Sequence, residues 1–315
     1  MLGQPKYSPA GIGDDCAVIQ VGNETLALTC DTLNEEIHFS FATHNWEDVA
    51  WKLACASLSD LAAMGAQPAW GLLSLALPEN VESGPDSLIR TLAKAAREYG
   101  FSLLGGDTTR STDRLSLTLF LIGKCAHAPM LRSAATAGEI LCVTGTLGAS
   151  AAGLASLARG ISTSAVGRHL RPTPRVAEGL LLASAGVKCC IDISDGLLGD
   201  TRHILAASEI GCEIYLDRIP VDPLATAAAE EIGADALEWA VSGGEDFQLL
   251  FTAPESLLEC LHKEFESRKL APICDIGKIQ AGQGIRLIGP NSERYLSLTG
   301  YDHFASSQAA NRGNC

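Results

Sequence analysis

At 315 residues, 47% hydrophobic and 19% charged, the chain is long enough for about two ordinary domains and has the apolar side chains to fill their cores. Its formal net charge of −14 argues against a nucleic-acid partner, because phosphate neutralisation needs clustered Lys and Arg, so none is expected. No run approaches the roughly 18 to 20 apolar residues of a membrane span, and residues 1–9 lack the basic and apolar stretches of a secretory signal, so no membrane contact and a cytoplasmic location are expected.

In chain order, residues 25–32 (T-L-A-L-T-C-D-T) read as a strand. Residues 46–64 follow as a helix, with Val49, Leu53, Ala56 and Leu61 at helical spacing and Gly65 as the stop. A strongly apolar strand spans 69–77, and a helix over about 85–99 closes on Gly100. Strands at 101–104 and 115–123 complete this half. The pattern restarts at 134–138, which sets the expected domain boundary. Beyond it come a strand at 140–144, a glycine turn at 145–148 leading into a helix, a helix at 175–185, a strand at 189–193 and a helix from Leu197. Strands at 212–216 and 247–252, a helix at 254–268 and short strands at 273–279 and 285–288 finish the chain. These elements predict an α+β protein with domains at 1–134 and 135–305 and a tail at 306–315.

The eleven cysteines are scattered, mostly inside apolar segments, and none forms a Cys-x-x-Cys pair. Free thiols acting as small hydrophobes fit this placement better than disulfides or structural zinc.

Aspartates carry the chemical signal. Asp14 and Asp15 (G-I-G-D-D), Asp31 (T-C-D-T), Asp107 (G-G-D-T), and Asp192 with Asp195 (D-I-S-D-G) stand where apolar strands end or glycine turns begin. Asp beside Gly is also ordinary turn and capping chemistry, and each motif alone reads that way. Asp60 differs, because it falls within a helix among small and apolar neighbours, where a carboxylate needs a partner to offset desolvation. Several carboxylates converging would repel one another, and Mg²⁺, which prefers oxygen ligands, relieves that conflict.

These motifs closely resemble the bacterial thiamine-monophosphate kinase family of the aminoimidazole-ribonucleotide-synthase-like superfamily. The resemblance rests on residues 11–15 (G-I-G-D-D), 59–65 (S-D-L-A-A-M-G), 105–108 (G-G-D-T), 191–197 (I-D-I-S-D-G-L), 242–246 (S-G-G-E-D) and 300–304 (G-Y-D-H-F). It implies a two-domain PurM-like fold: an N-terminal α/β domain that dimerises, a C-terminal α+β domain, and the active site between them. The implied reaction moves the γ-phosphate of ATP directly to thiamine monophosphate with Mg²⁺, giving thiamine diphosphate and ADP, without a phosphoenzyme. Matched residue by residue, it implies metal ligation by Asp15, Asp31, Asp60, Asp107, Asp192 and Asp195, with Thr29 and the Cys30 backbone. It further implies ATP contacts from Gly106, Asp107, Arg132 and Ser194, acceptor contacts from His38, Glu245 and Tyr301, and a homodimer. Cys30 departs from the pattern, standing where Thr or Ser is usual, and the stretch before Gly11 is shorter than the family's opening helix.

Overall fold

The computed structural model describes residues 10–79 and 84–298. The first half contains β1 (Ala17–Val21), β2 (Glu24–Asn34), α1 (Trp46–Ala63), β3 (Gln67–Leu77), α2 (Pro85–Tyr99), β4 (Ser102–Arg110) and β5 (Ser116–Cys125). Its strands form one sheet in the order β1-β2-β5-β3-β4, antiparallel except for the parallel β3–β4 pair. The second half contains β6 (Ile140–Thr144), α3 (Ala149–Ala158), α4 (Val166–Leu170), α5 (Val176–Ser184), β7 (Cys189–Asp192), α6 (Leu197–Ser208) and β8 (Gly211–Tyr215). It continues with α7 (Pro223–Ile232), α8 (Ala236–Ser242), β9 (Leu249–Ala253), α9 (Glu255–Ser267), β10 (Ile273–Gln280), β11 (Gly284–Ile288) and α10 (Ser292–Leu296). Its sheet runs β11-β8-β10-β6-β9-β7. The predicted α+β class is the observed one.

Helix α1 organises the molecule. Asn45 and Asp48 cap its start reciprocally, each side chain accepting from the other's backbone N–H. Almost every residue from Asp48 to Ala63 is buried, including Lys52, Ser57 and Ser59, as expected of a helix covered on all sides. One side packs on β2 and β5, and another meets α5 and β7 from the second half. A single apolar cluster therefore joins Leu53, Leu58 and Leu61 to Leu119 and to Val176, Leu182, Cys190 and Phe251. The approach to α5 is close: a β-carbon on Gly65 would lie 2.3 Å from the Ala183 side chain, and one on Gly179 would lie 2.0 Å from the Ala62 carbonyl. Gly65 also ends the helix at φ 66°, so glycine is needed there twice over.

Two strands run longer than their sequence patterns. β2 continues to Asn34, so Asp31 lies inside it rather than at its end. β4 reaches Arg110, which draws G-G-D-T into an edge strand. Strand β1 and the small helices α4, α7, α8 and α10 are additions to the expected elements. Among the described residues the cysteines are free; most are buried, and Cys30 and Cys260 are exposed. No helix of the described residues is long and apolar enough to cross a membrane.

Candidate active site

The junction around α1 gathers carboxylates from distant parts of the chain. Asp15 comes from the loop before β1, Asp31 from β2, Asp60 from the last turn of α1 and Asp192 from the end of β7. One carboxylate oxygen from each of Asp15, Asp60 and Asp192 lies within 4.8 Å of the others. Asp31 lies beside them, its carboxyl raised above the usual range by burial, and its Oδ2 is buried with no hydrogen-bond partner. Thr29 donates to the Asp60 carboxylate, and Ser59 donates to Asp192 at 2.6 Å. Arg132 grips Asp15 with two bonds, Nη2 to Oδ1 at 2.6 Å and Nε to Oδ2 at 3.3 Å.

The electrostatics record the crowding. Burial, reinforced by the charges of Asp31, Asp192 and Asp15, holds the Asp60 carboxyl well above the usual carboxylate range. Burial and then the charge of Asp15 push Asp192 up to about 8. Asp14, desolvated and beside Asp15, rises to about 6. Arg132 compensates only part of this charge. An all-oxygen donor set with an orphaned carboxylate oxygen fits a hard divalent cation.

The cluster opens onto a cavity of about 840 Å³ lined by both halves of the chain. Asp31, Asp60 and Asp192 stand on its wall together with His38, Ser194, Asp195 and Glu245. Apolar wall comes from Ile37, Phe39, Leu154, Ala155 and Trp239. Two glycine motifs meet there backbone to backbone. Glu245 N–H donates to the Ser194 carbonyl at 2.9 Å and Phe247 N–H to the Ile193 carbonyl at 3.0 Å. A β-carbon on Gly244 would sit 2.2 Å from the Ser194 carbonyl, so D-I-S-D-G and S-G-G-E-D need their glycines for contact with each other. The E-D pair divides its work. Asp246 accepts from Gly148 N–H at 2.6 Å and Ser150 N–H at 3.0 Å at the start of α3, while Glu245 lines the cavity at φ 63°.

Family models for the AIR synthase related protein match twice, the N-terminal domain over residues 13–125 and the C-terminal domain over 136–290. The thiamine-monophosphate kinase of Escherichia coli K12 is 39% identical over 306 residues, covering 94% of this chain and 92% of that one. The chain belongs to the thiamine-monophosphate kinase family. A second relative of that name, from Bacillus subtilis, is 33% identical with 93% of each chain covered. Among solved structures, AaThiL complexed with AMPPCP and TMP superposes with a TM-score of 0.84 at 31% identity, over 93% of this chain and 92% of that one. The thiamine-monophosphate kinase of Stenotrophomonas maltophilia gives 0.78 at 36% identity, over 91% and 92%.

Within this family frame, the expected site residues fall into groups. Asp15, Asp31, Asp60, Asp192 and Thr29 are together, and Ser194, Asp195, His38 and Glu245 share the cavity. Asp195 groups with Asp200 and His203 rather than with the other carboxylates. Gly106 and Asp107 stand apart. β4 is three strands from β2, about 14 Å at ordinary strand spacing. The register Thr32–Thr118–Ser74–Asp107 also sets Asp107 on the sheet face opposite Asp31. Cys30 belongs to that same outer face and is exposed, which leaves its backbone as the part nearest the cluster. Tyr301 and the G-Y-D-H-F motif lie outside the described residues.

Several supporting residues have weak sequence signals. Asp200 is buried and accepts from the Ser194 and Asp195 N–H groups at 3.1 and 3.2 Å, fixing the D-I-S-D turn. Lys52 is the one basic residue in the apolar stretch 49–64. His169 is brought in by α4, an element with no strong pattern of its own.

Proposed function

We propose that this chain transfers the γ-phosphate of ATP to thiamine monophosphate in the cavity beside the Asp15–Asp31–Asp60–Asp192 cluster, with Mg²⁺ held by those carboxylates. The observation that carries the reading is their convergence from four separate segments at a cavity formed by both halves of a thiamine-monophosphate kinase fold. Bound Mg²⁺ supplies charge neutralisation for two phosphorylated molecules brought side by side. Asp195 and the backbone carbonyl of Cys30 complete the proposed ligand set, and Thr29 orients Asp60.

A phosphate oxygen of thiamine monophosphate, ionised at neutral pH, attacks the γ-phosphorus, and the bond to the β–γ bridging oxygen breaks to release ADP. The acceptor needs no protein base, so the residues act by position and charge. Ser194 is placed to meet the nucleotide. Arg132, which pairs with Asp15 beside the cluster, would contact its phosphates. His38, Glu245 and Tyr301 hold the acceptor.

The same reading includes a homodimer. The sheet face turned away from α1 carries Leu72 at 45% exposure and Leu104 at 66%, next to exposed Cys30, Thr32 and Ser74. An apolar sheet face of this kind calls for a covering partner, and a second copy supplies one. Because Gly106 and Asp107 stand beside that face, pairing also gives them a route to a nucleotide that the distance within one chain denies them.

ADP release measured with ATP and Mg²⁺, with and without thiamine monophosphate, tests the assignment. Release that depends on thiamine monophosphate supports the kinase. Indifference to it, with turnover on a formylglycinamidine ribotide instead, would assign the chain to ligase chemistry.

A further inference from the structure

Lys52 sits on α1 with 1% of its side chain exposed, and a buried ammonium demands compensation. Asp48, one turn earlier, is already committed to the α1 cap and to Arg171 at 2.7 Å. His44 and His169 lie close by but carry no charge at neutral pH: burial, then the charge of Lys52, lowers His44 to about 4 and holds His169 further below the usual imidazole range. The Lys52 ammonium instead bonds two groups of the cavity wall, the Glu245 carboxylate at 2.9 Å and the His38 carbonyl at 3.2 Å. These come from opposite halves of the chain. Glu245 Oε2 also lies 3.5 Å from His169 Nδ1, which is 3.1 Å from the Ser150 hydroxyl.

We infer that Lys52 is a positioning residue for the acceptor substrate, one buried ammonium setting the place of both Glu245 and His38 across the domain junction. The inference rests on the kinase reading above. Glu245 is anchored by its backbone bond to Ser194 and keeps 29% of its side chain exposed to the cavity. Its remaining freedom is rotation of the side chain, and the Lys52 bond removes it. Pairing also balances the charge of Glu245, so the carboxylate meets the acceptor as an oriented hydrogen-bond acceptor more than as a free anion.

The test is steady-state kinetics on the full-length Lys52→Met, Lys52→Arg and Glu245→Gln proteins and on the Lys52→Met/Glu245→Gln double variant, with thermal unfolding measured alongside. Loss of the orienting bond should raise KM for thiamine monophosphate about tenfold or more in Lys52→Met. KM for ATP should stay within about twofold, since no nucleotide contact is touched. Lys52→Arg, which keeps the charge, should recover part of the loss. Because Lys52 acts through Glu245, the double variant should show much less than the product of the single effects. Should Lys52→Met fail to fold, the comparison of Lys52→Arg with Glu245→Gln decides by the same KM split. A purely structural Lys52 would lower the melting temperature and leave both KM values unchanged, and that result overturns the inference. Wild-type protein showing no thiamine-monophosphate-dependent ADP release would overturn the kinase reading itself, and this inference with it.

Discussion

Replacing Asp60 by Asn should stabilise the metal-free protein while destroying its response to Mg²⁺. The carboxylate oxygens of Asp15, Asp60 and Asp192 lie within 4.8 Å of one another, and Arg132 directly neutralises only Asp15. Two unit charges at that separation repel by about 3.5 kcal/mol at an effective dielectric of 20. Protonation already relieves part of this, because Asp60 and Asp192 are both held above the usual carboxylate range, so a gain of about 1 to 3 kcal/mol is expected at pH 8. The amide keeps the size of the side chain, still accepts from Thr29, and can donate to Asp31, whose Oδ2 has no partner. For a chain of this size the gain corresponds to roughly 2 to 5 °C. Thermal unfolding in EDTA, repeated across a Mg²⁺ titration, reads both effects. An Asp60→Asn protein that melts below wild type in EDTA, or gains as much from Mg²⁺ as wild type does, would refute the reasoning.

Three other outcomes follow from the same structure. Asp195→Asn removes a proposed ligand charge and no packing, so turnover should fall by orders of magnitude with the melting temperature nearly unchanged; unaltered kinetics would remove Asp195 from the ligand set. Raised carboxyl pKa values mean the folded state holds protons that the unfolded chain releases, so their stabilisation is complete below about pH 4 and is lost as pH climbs through the Asp192 value of about 8. The depressed values of His44 and His169 act at more acid pH, so between pH 7 and 8.5 the EDTA-treated protein should lose stability and the Mg²⁺-loaded protein should not. A melting temperature that rises over that interval in EDTA would reverse the sign argument. Leu104→Glu, on the exposed sheet face, should convert a dimer to monomers in light scattering, and an unchanged mass would place the interface elsewhere.

What the sequence disclosed was local. Asp60 was conspicuous because a carboxylate amid Leu, Ala and Met on a helix has no local means of compensation, whereas Lys52, with Asp48 one turn earlier, reads as an ordinary helical pair. The glycine motifs marked tight backbone, and the Ser194–Glu245 contact accounts for two of them. Relations across the fold were not legible. The roles of Thr29 and Ser59 depend on α1 lying between two sheets, which no periodicity states. Nothing in G-G-D-T announces that β4 occupies an edge three strands from β2, because strand order follows from long-range pairing. Short helices such as α4, which carries His169, lack the length that makes a pattern readable.

On the proposed reading, Asp31, Asp60 and Asp192 hold cations joining two phosphorylated molecules. Crystals grown with Mn²⁺, AMPPCP and thiamine monophosphate would test it directly through the anomalous signal of the metal. Peaks bounded by those three carboxylates and by phosphate oxygens of both ligands are predicted. Both ligands bound with no metal peak among the carboxylates would contradict the account.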